Sequence, residues 1–297
     1  MDITIIIVSF NTQELLHDCL SSIKTASKNL SVETFVVDNN SIDNTAQMVT
    51  KFFPKVNLIV NDQNLGFSKA NNQAIKKAKG TYVLVLNPDT KLMPNTLVEM
   101  FNFMQKRDDV GIATCKVELT DGTLDKDCKR SFPTPFRALC HFSGISKIFS
   151  GSKIFDQYHL GYLNESKTYE IDSCVGAFMF IRNSALKKVG PFDEKFFFYG
   201  EDLDLCWRFW QKSYKVMYYP MVKIIHYKGA SSGVKRSSEE FTKATKESKE
   251  RVLKESIRAM QIFYKKHYVE QYPFFVNAIV SLSLLFIRQV RLFTYKV

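Results

Sequence analysis

The sequence lacks paired cysteines. Its 297 residues include six cysteines, and no two of them form a CxxC pair. They are widely separated, at Cys19, Cys115, Cys128, Cys140, Cys174 and Cys206. This spacing argues against a zinc ribbon and a disulfide framework, and it favours a reducing compartment. With 45% hydrophobic and 24% charged residues, the composition is that of an ordinary globular protein.

Two glycine-rich phosphate-binding motifs are also missing. The chain contains neither GxGxxG nor a GxxxxGKS or GxxxxGKT sequence, so a dinucleotide-binding protein and a P-loop NTPase are both disfavoured. The first residues form a strand-like apolar run without a basic n-region, which gives no sign of a secretory signal. We therefore expect a cytoplasmic protein.

Acidic residues are scarce in the last quarter of the chain. Residues 221–297 hold 15 Lys or Arg and 6 Asp or Glu, a net charge of +9 out of +11 for the whole chain. A basic tail suggests an anionic partner, either a nucleic acid or the inner face of a membrane. Nucleic-acid platforms interleave basic with exposed aromatic residues, whereas these bases lie along one predicted helix and beside an apolar run. No nucleic-acid partner is therefore expected.

The C-terminal apolar run is short for a membrane span. It covers residues 274–287 and is flanked by Lys265, Lys266, Arg288 and Arg291. Its 14 residues fall below the ~20 that cross a bilayer. Its length and flanking charges favour an interfacial or re-entrant helix at the inner membrane surface. The alternative is a helix that packs on the domain or on a second copy of the chain, as in a homodimer.

Apolar runs alternate with helical patterns over the first part of the chain. Residues 3–9 are β-branched and almost continuously apolar, which is typical of a strand buried on both faces. Further strands are predicted at 33–38, 56–60, 81–86 and 110–117. Helices are predicted between them, at 12–26, 41–52, 68–79 and 94–105. This order predicts an α/β fold with a doubly wound, mostly parallel sheet flanked by helices.

Residues 120–170 interrupt this alternation, and we interpret them as a long, mobile excursion near the acceptor. Regular patterns return as a strand at 172–181, a helix at 203–212, short strands at 216–219 and 222–226, and a charged helix at 238–264. We therefore divide the chain into a domain at 1–235 and a basic helical C-terminal extension at 236–297. Within the domain, the donor-binding half ends at about 118 and the acceptor and catalytic half begins at about 119.

Polar side chains follow three of the predicted strands. The first strand ends in Ser9-Phe-Asn11, the second in Asp38-Asn-Asn-Ser41 and the fourth in Asn87-Pro-Asp-Thr90. Such residues are common in ordinary turns, but ligands of open α/β sheets also bind at this edge. Asp38 could accept hydrogen bonds from a base or a ribose, and Asp89 could bind a divalent cation. Together they predict a nucleoside diphosphate with Mg²⁺ or Mn²⁺.

Three carboxylates follow an aromatic run and a glycine in the segment Phe196-Phe-Phe-Tyr-Gly-Glu-Asp-Leu-Asp204. Glu201, Asp202 and Asp204 could be the first turn of a helix, where acids favour the macrodipole. A carboxylate beside an apolar wall could instead have a raised pKa and act as a base. The two interpretations are compatible.

Taken together, these segments resemble the family 2 glycosyltransferases with the GT-A fold, and most closely their rhamnosyltransferase-like branch. The matching segments occur in family order and cover about residues 3–230. They are Val8-Ser-Phe-Asn-Thr12, Val37-Asp-Asn-Asn-Ser-Ile-Asp-Asn-Thr45, Asn64-Leu-Gly-Phe-Ser-Lys-Ala-Asn-Asn72, Leu86-Asn-Pro-Asp-Thr90, Gly176-Ala-Phe-Met-Phe-Ile-Arg182, Gly190-Pro-Phe-Asp193 and Tyr199-Gly-Glu-Asp-Leu-Asp-Leu-Cys-Trp-Arg208. One such motif is weak, whereas the ordered set is specific.

The resemblance implies a donor site with a metal ion. Asp38 would hold the nucleobase, and Asp89 would be the principal carboxylate on Mg²⁺ or Mn²⁺. Asn87 replaces the first acid of the family's DxD motif, so modest metal affinity is expected. His226 matches the histidine that completes the metal site in related members, although a histidine on a strand can also be structural. The other nucleotide-sugar-binding residues would be Ser9, Asn11, Asn40, Asn64, Gly66, Asn71, Asn87 and Asp89.

The resemblance also implies catalytic roles. Glu201 and Asp202 match the family's acid pair, in which Asp202 would be the general base that takes the proton of the acceptor hydroxyl. Asp204 would orient the loop or the acceptor. Trp207 would pack in the core or contact the acceptor sugar.

The activity implied is that of an inverting, metal-dependent glycosyltransferase. The branch implies dTDP-L-rhamnose as the donor, with a UDP-sugar (a hexose, an N-acetylhexosamine or galactofuranose) as the alternative. The acceptor would be a growing cell-surface glycan or a polyprenyl-diphosphate-linked sugar, at the inner face of the cytoplasmic membrane. A nucleotidyltransferase is a second alternative, although the N-terminal Gly-rich basic loop usual in such enzymes is missing. A non-catalytic basic nucleic-acid-binding protein is the third.

Overall fold

The computed structural model describes residues 1–229 and 246–296 of the chain. Over these residues nine strands form one mixed sheet in the order β3-β2-β1-β4-β8-β6-β9-β5, and β7 pairs with β9 outside this path. The strands are β1 (Ile3–Ser9), β2 (Val32–Asp38), β3 (Asn57–Val60), β4 (Tyr82–Leu86), β5 (Thr90–Leu92), β6 (Val110–Leu119), β7 (Tyr169–Ile171), β8 (Phe178–Arg182) and β9 (Lys215–His226). Strands β1–β4, β6 and β9 run in one direction, and β5, β7 and β8 run against them. The predicted mostly parallel α/β sheet is therefore confirmed.

Strand β1 lies inside the sheet and is buried on both faces. Its isoleucines Ile3, Ile5 and Ile7 are fully buried, as the continuous apolar run predicts. The register with β2 pairs Ser9 with Asp38, so both strands end at the same level. The polar residues that follow these strands consequently share one edge of the sheet.

Helices connect and flank the strands. They are α1 (Gln13–Ala26), α2 (Thr45–Phe52), α3 (Phe67–Ile75), α4 (Thr96–Gln105), α5 (Pro135–Phe142), α6 (Ile145–Ile148), α7 (Asn183–Val189), α8 (Glu201–Gln211), α9 (Lys246–His267) and α10 (Phe274–Lys296). The apolar stripe predicted for α1 is buried, because residues spaced by three or four positions share one helix face. The helix predicted from 41 begins only at Thr45, and the Ser41 hydroxyl instead accepts a hydrogen bond from the Asn11 N–H.

The second half of the chain departs further from the predicted pattern. The strand predicted at 172–181 begins only at Phe178, because Ser173 exchanges backbone hydrogen bonds with Arg130. The two short strands predicted near the end of the domain are one strand, β9. The short strands β5 and β7, both paired with β9, were not predicted. The excursion at 120–170 contains α5, α6 and a short 3₁₀ helix at Lys126–Cys128.

The C-terminal helices form a hairpin. Helix α9 packs on the domain through Phe263 and Tyr268, which are buried. Helix α10 returns along α9, with the Tyr264 hydroxyl bonded to Asn277 and Arg291 bonded to Ser256. The charged helix predicted from 238 is described from residue 246, and its predicted start lies outside the described residues.

Helix α10 is longer than the predicted apolar run. Its 23 residues extend about 34 Å, at 1.5 Å per residue. Its segment Phe274–Arg291 is long and apolar enough to cross a membrane, and none of that segment is buried inside the structure. The 14-residue apolar run is therefore part of a helix that reaches the length of a span by length and composition alone, and its interfacial placement stays a prediction.

Candidate active site

The ends of β1 and β2 are joined by side-chain hydrogen bonds. The Asn11 N–H donates to the Ser41 hydroxyl, and the Ile42 N–H donates to Asn11 Oδ1, both at 2.9 Å. Ser9 and Thr12 share a hydrogen bond of 2.8 Å between their hydroxyls. These contacts hold the loops after β1 and β2 against each other.

Asp38 is a buried carboxylate at this edge. Its Oδ1 accepts a hydrogen bond from the Ser41 N–H at 3.2 Å. Burial raises the pKa of Asp38, and the bonds from Ser41 oppose that rise. A poorly solvated carboxylate gains from a donor such as a base N–H or a ribose hydroxyl, which is the role that the sequence implies for Asp38.

Asn39, which was not among the predicted site residues, organises the next loop. Its Oδ1 accepts from Asn61 and from the Leu65 N–H, and its Nδ2 donates to Asn64 Oδ1 and to the Gly66 carbonyl. It is almost fully buried, whereas the predicted Asn40 is exposed with φ of 70°. Two adjacent asparagines after a strand carry no sequence signal that tells which one turns inward.

Gly66 is in tight contact with the segment before α8. Its φ is 81°, and a Cβ there would lie 2.5 Å from the Phe197 carbonyl oxygen. The Phe67 N–H donates to that same oxygen at 2.7 Å. Further along α3, Asn71 is fully buried, and its Nδ2 donates to the Phe67 carbonyl. The predicted donor-binding residues therefore contact the segment that leads to the acid pair.

Asp89 and His226, the two predicted metal ligands, lie in contact. His226 Nε2 lies 3.3 Å from Asp89 Oδ1, and its Nδ1 lies 3.1 Å from Asp125 Oδ2. Burial lowers the pKa of His226, but the carboxylates of Asp89 and Asp125 outweigh it and hold that pKa at about 9. The register explains the meeting, because β5 and β9 pair Thr90 with His226.

Asp89 and His226 fit a divalent cation that would also be bound by the substrate. A carboxylate and an imidazole nitrogen 3.3 Å apart can both reach one ion, and the Asp125 carboxylate orients the ring as a second partner. The described residues contain no group of three or more ligands. Mg²⁺ commonly uses one or two protein groups together with water and phosphate oxygens, so the diphosphate would complete such a site.

Asp125 and Asp127 anchor the excursion to the end of β9. Lys228 Nζ contacts a carboxylate oxygen of each aspartate. Burial works against the charge of Asp125, but its bonds to His226 and Lys228 hold its pKa below the usual range. Sequence reasoning missed both aspartates, since they lie in a segment without a regular pattern.

The acid pair begins helix α8. Gly200 precedes it with φ of 80°, and Glu201 and Asp202 are both buried. Asp202 Oδ2 accepts from Arg130 Nη2 at 2.7 Å and from the Gly176 N–H at 3.3 Å, while Oδ1 accepts from the Leu203 N–H. Asp202 is thus paired with a buried cation that the sequence did not reveal.

Glu201 has a different environment. Its Oε2 has no hydrogen-bond partner among the described residues. Burial, and then the negative charge of Asp202, raise the pKa of Glu201 to about 8. The structure therefore favours a protonated Glu201 at neutral pH.

A comparison of the sequence with protein-family models decides the family. Residues 4–190 match the model "Glycosyl transferase family 2". The chain belongs to glycosyl transferase family 2. A second model, the "N-terminal domain of galactosyltransferase", matches residues 157–230, which include the acid pair. The predicted family and its enzyme class are confirmed.

Curated relatives of this family 2 glycosyltransferase include two rhamnosyltransferases. The chain is 25% identical over 240 residues to an N-acetylglucosaminyl-diphospho-decaprenol L-rhamnosyltransferase of Mycobacterium tuberculosis, with 77% of each protein covered. It is 28% identical over 173 residues to the rhamnosyltransferase WbbL of Escherichia coli, covering 54% of this chain and 61% of WbbL. The resemblance to the rhamnosyltransferase-like branch is therefore supported at low identity.

Solved structures confirm the GT-A fold. GalNAc-T7 with UDP, GalNAc and Mn²⁺ superimposes with a TM-score of 0.57 at 15% identity, over 89% of this chain and 50% of that chain. Staphylococcus aureus TarS 1-349 with UDP gives a TM-score of 0.51 at 18% identity, over 87% and 65%. This glycosyltransferase thus spans between half and two thirds of the length of these neighbours.

Asp204 of this glycosyltransferase is bound to the C-terminal hairpin. Its carboxylate accepts from His267 Nε2 at 2.8 Å and pairs with Lys266 and Arg208. Burial works against the charge of Asp204, but these three partners hold its pKa at about 2. Asp204 therefore binds α9, a contact that the sequence did not reveal, and its orienting role stays a prediction.

Trp207 is a core residue of the same region. Its ring lies 4.6 Å from Phe132, 4.9 Å from His267 and 5.3 Å from Tyr268 between ring centroids. We call these four residues the Trp207 cluster. Trp207 is packed in the core, as expected, whereas Trp210 on the next turn is 56% exposed.

Proposed function

We propose that this glycosyltransferase inverts configuration and transfers L-rhamnose from dTDP-L-rhamnose to a hydroxyl of a lipid-linked or growing cell-surface glycan. The observation that carries the proposal is the buried carboxylate of Asp202 at the start of α8, paired with Arg130 and adjacent to Glu201. The names of the two rhamnosyltransferase relatives support the sugar, and the diphospho-decaprenol in one name supports a lipid-linked acceptor.

Asp202 would act as the general base. As the acceptor oxygen attacks the anomeric carbon, its proton passes to Asp202, and the bond from that carbon to the diphosphate oxygen breaks. The nucleoside diphosphate leaves from the opposite face, so configuration inverts. Asp202 Oδ2 already accepts two hydrogen bonds while Oδ1 accepts one, which favours Oδ1 as the atom that takes the proton.

The donor would lie along the carboxyl edge of β1, β2 and β4. Asp38 would accept a hydrogen bond from the nucleobase, and Asp89 and His226 would hold Mg²⁺ or Mn²⁺. Such an ion, when bound, offsets the negative charge that develops on the leaving diphosphate. The Asp125 carboxylate would keep the His226 ring oriented towards Asp89.

We assign the enzyme to the inner face of the cytoplasmic membrane, with α10 as its membrane contact. The helix exposes seven large apolar side chains, and bases such as Arg288 lie near its end. They are Phe274, Phe275, Ile279, Leu282, Leu285, Phe286 and Val290. A second copy of the chain is the alternative partner for this helix, and a homodimer in solution would favour it.

A thermal-shift screen of dTDP-, UDP- and GDP-sugars with Mn²⁺ tests the donor. Binding stabilises the folded chain by mass action, so dTDP-L-rhamnose should raise the Tm more than the other donors. Transfer from the best donor to an N-acetylglucosaminyl-diphospho-lipid, followed by mass spectrometry, then tests the acceptor. Stabilisation by none of the sugar nucleotides contradicts the proposal.

A UDP-sugar donor is the second candidate. A relative named poly-beta-1,6-N-acetyl-D-glucosamine synthase, from Staphylococcus aureus, is 25% identical over 226 residues, covering 74% of this chain and 48% of that protein. Both superimposed structures contain UDP. A larger Tm increase with a UDP-sugar than with dTDP-L-rhamnose would select this candidate.

A further inference from the structure

A second group of large apolar side chains is exposed within the excursion. Phe136, Leu139, Phe142, Ile148, Phe149 and Ile154 are each 46–77% exposed, and we call them the α5–α6 surface. Two of them are bridged by one ring, because Phe136 and Phe149 both lie against Phe155, with 6.4 and 5.1 Å between ring centroids. Contiguous apolar surface of this kind on a soluble domain marks an interaction site.

Helix α5 has a clear inner and outer side. Phe136, Leu139 and Phe142 recur every three residues and share its outer face, whereas Cys140 is buried on the inner face. The Thr134 hydroxyl caps the first turn by accepting from the Arg137 N–H. The helix is therefore held in place by its other side and presents apolar groups outwards.

All charged residues within 134–155 are positive. Residues 134–155 contain Arg137, Lys147 and Lys153 and no aspartate or glutamate. Lys147 and Lys153 are exposed beside the apolar side chains, while Arg137 pairs with Asp172. Apolar side chains flanked by lysine are typical of elements that lie in the interface of an anionic bilayer.

The segment that carries the α5–α6 surface also contacts helix α8. The same segment that supplies this surface provides Arg130 to Asp202 and Phe132 to the Trp207 cluster. Tyr268 of that cluster directly follows the last residue of α9, in the turn that leads to α10. The two exposed apolar elements, α5–α6 and α10, are thus both anchored on one aromatic cluster beside the acid pair.

We propose that the α5–α6 surface docks on an anionic lipid bilayer and holds the Asp202 site at the membrane surface. Lys147 and Lys153 contact lipid phosphates, and the six apolar side chains enter the boundary between headgroups and acyl chains. This contact is separate from α10 and would present the active site to a lipid-linked acceptor. That consequence rests on the proposed function, whereas the bilayer contact itself does not.

Flotation of the full chain with vesicles of phosphatidylcholine and phosphatidylglycerol tests the contact. The triple variant Phe136→Ser/Leu139→Ser/Phe142→Ser should bind these vesicles about tenfold or more weakly, with α10 unchanged. The matched control Phe52→Ser/Val60→Ser/Met221→Ser removes side chains that are 56–60% exposed elsewhere and should bind as the wild type does. Circular dichroism and the Tm establish that each variant is folded.

A charge variant gives an independent measurement. Lys147→Glu/Lys153→Glu should weaken binding to vesicles with phosphatidylglycerol, and added salt should reduce the difference from the wild type. Equal vesicle binding by the wild type and the folded triple variant would overturn the proposal. A wild-type dimer that the triple variant dissociates, with vesicle binding unchanged, would identify the surface as a contact between copies instead.

The two proposals can fail separately. If the wild type binds vesicles through the α5–α6 surface but no sugar nucleotide raises its Tm, the bilayer contact stands and the proposed function fails. If dTDP-L-rhamnose binds and is turned over while the triple variant floats with vesicles as the wild type does, the proposed function stands and the bilayer contact fails.

Discussion

Arg130 and Asp202 form a buried ion pair, with 2.7 Å between Nη2 and Oδ2 and 8% of each side chain exposed. Burial works against the charge of Arg130, yet the Asp202 carboxylate holds the pKa of that guanidinium well above its usual range. The pair gives the Asp202 carboxylate a buried cationic partner, whereas burial, and then the charge of Asp202, raise the pKa of the adjacent Glu201 to about 8. The two acids of the motif therefore have different environments.

Replacing Asp202 by Asn should abolish transfer and spare donor binding. The amide keeps the shape of the side chain but has no basic oxygen, so kcat should fall about 10²–10⁴-fold. The Tm increase caused by the donor should be unchanged. Glu201→Gln is the matched control, because it replaces a group that is already neutral, and it should retain far more activity. Equal turnover by Asp202→Asn and the wild type would refute the assignment of the base.

Replacing Arg130 tests whether its positive charge supports Asp202. Arg130→Lys keeps a cation near Asp202, whereas Arg130→Met removes it and leaves the carboxylate unpaired in a buried site. In the Met variant the acid limb of the pH profile of kcat/KM should move to higher pH, since ionising Asp202 becomes harder. The Lys variant should show a smaller movement. Identical pH limbs in the wild type and a folded Met variant would show that Arg130 does not govern the base.

The sequence predicted the residues at strand ends better than their partners. Asp38 and Asp89 directly follow buried apolar runs, and parallel strands bring their carboxyl ends to one edge, so their shared location followed from the strand pattern. Arg130 and Asp125 come from the excursion, which has neither a period of two nor one of 3.6. They contact Asp202 and His226 across 72 and 101 residues of chain, and nothing local encodes such contacts.

The contacts of the C-terminal segment were likewise not predictable from the local sequence. Its basic and apolar composition predicted helices and a membrane contact, but it gave no sign that His267 lies against Asp204. A charged helix pattern shows which residues face water on average, and Lys266 and His267 look like ordinary last-turn bases. The burial of His267 against α8 depends on tertiary packing around Trp207, which residue periodicity cannot reveal.

The raised pKa of Glu201 has a measurable effect on stability. The pKa is about 8 in the folded chain, compared with the ordinary value of 4.5 for a glutamate. Between these values the folded state binds a proton that the unfolded state has lost, so this group makes unfolding easier as the pH rises. Glu201→Gln removes the effect and should gain stability relative to the wild type from pH ~4.5 to ~8, by a few kcal/mol at most, and then level off.

Urea unfolding across this pH range measures the effect of Glu201. The control is Glu14→Gln at an exposed position of α1, for which the difference from the wild type should not grow with pH. A constant difference between Glu201→Gln and the wild type from pH 5 to pH 8 would contradict the protonated Glu201 inferred here.

Asp204 should stabilise the folded chain in the opposite pH direction. Its pKa is about 2 in the folded state, compared with the ordinary value of 3.8 for an aspartate, so its contribution is present above pH ~4 and is lost as the pH falls towards 2. Asp204→Asn should therefore destabilise the chain by about 2–3 kcal/mol at neutral pH, and by less in acid. Denaturant midpoints at pH 7 and pH 3 measure the difference. If Asp204→Asn lowered the free energy of unfolding equally at both pH values, packing rather than charge would bind α9 to α8.

If Asp89 and His226 bind a divalent metal directly, the metal affinity depends on these two residues and, indirectly, on Asp125. His226→Gln and Asp89→Asn should each remove most Mn²⁺ binding. Asp125→Asn should weaken binding less, by roughly 10–100-fold, because Asp125 orients the His226 ring without reaching the ion. Titration of Mn²⁺ into each variant, followed by electron paramagnetic resonance, measures these affinities without turnover.

The Asp62→Asn variant, at an exposed acid outside these contacts, is the control for a general change of charge. Chelation of the wild type should also lower its Tm in the presence of donor, and Mn²⁺ should restore it. Mn²⁺ affinity that is the same in His226→Gln and Asp62→Asn would assign His226 a structural role between Asp89 and Asp125.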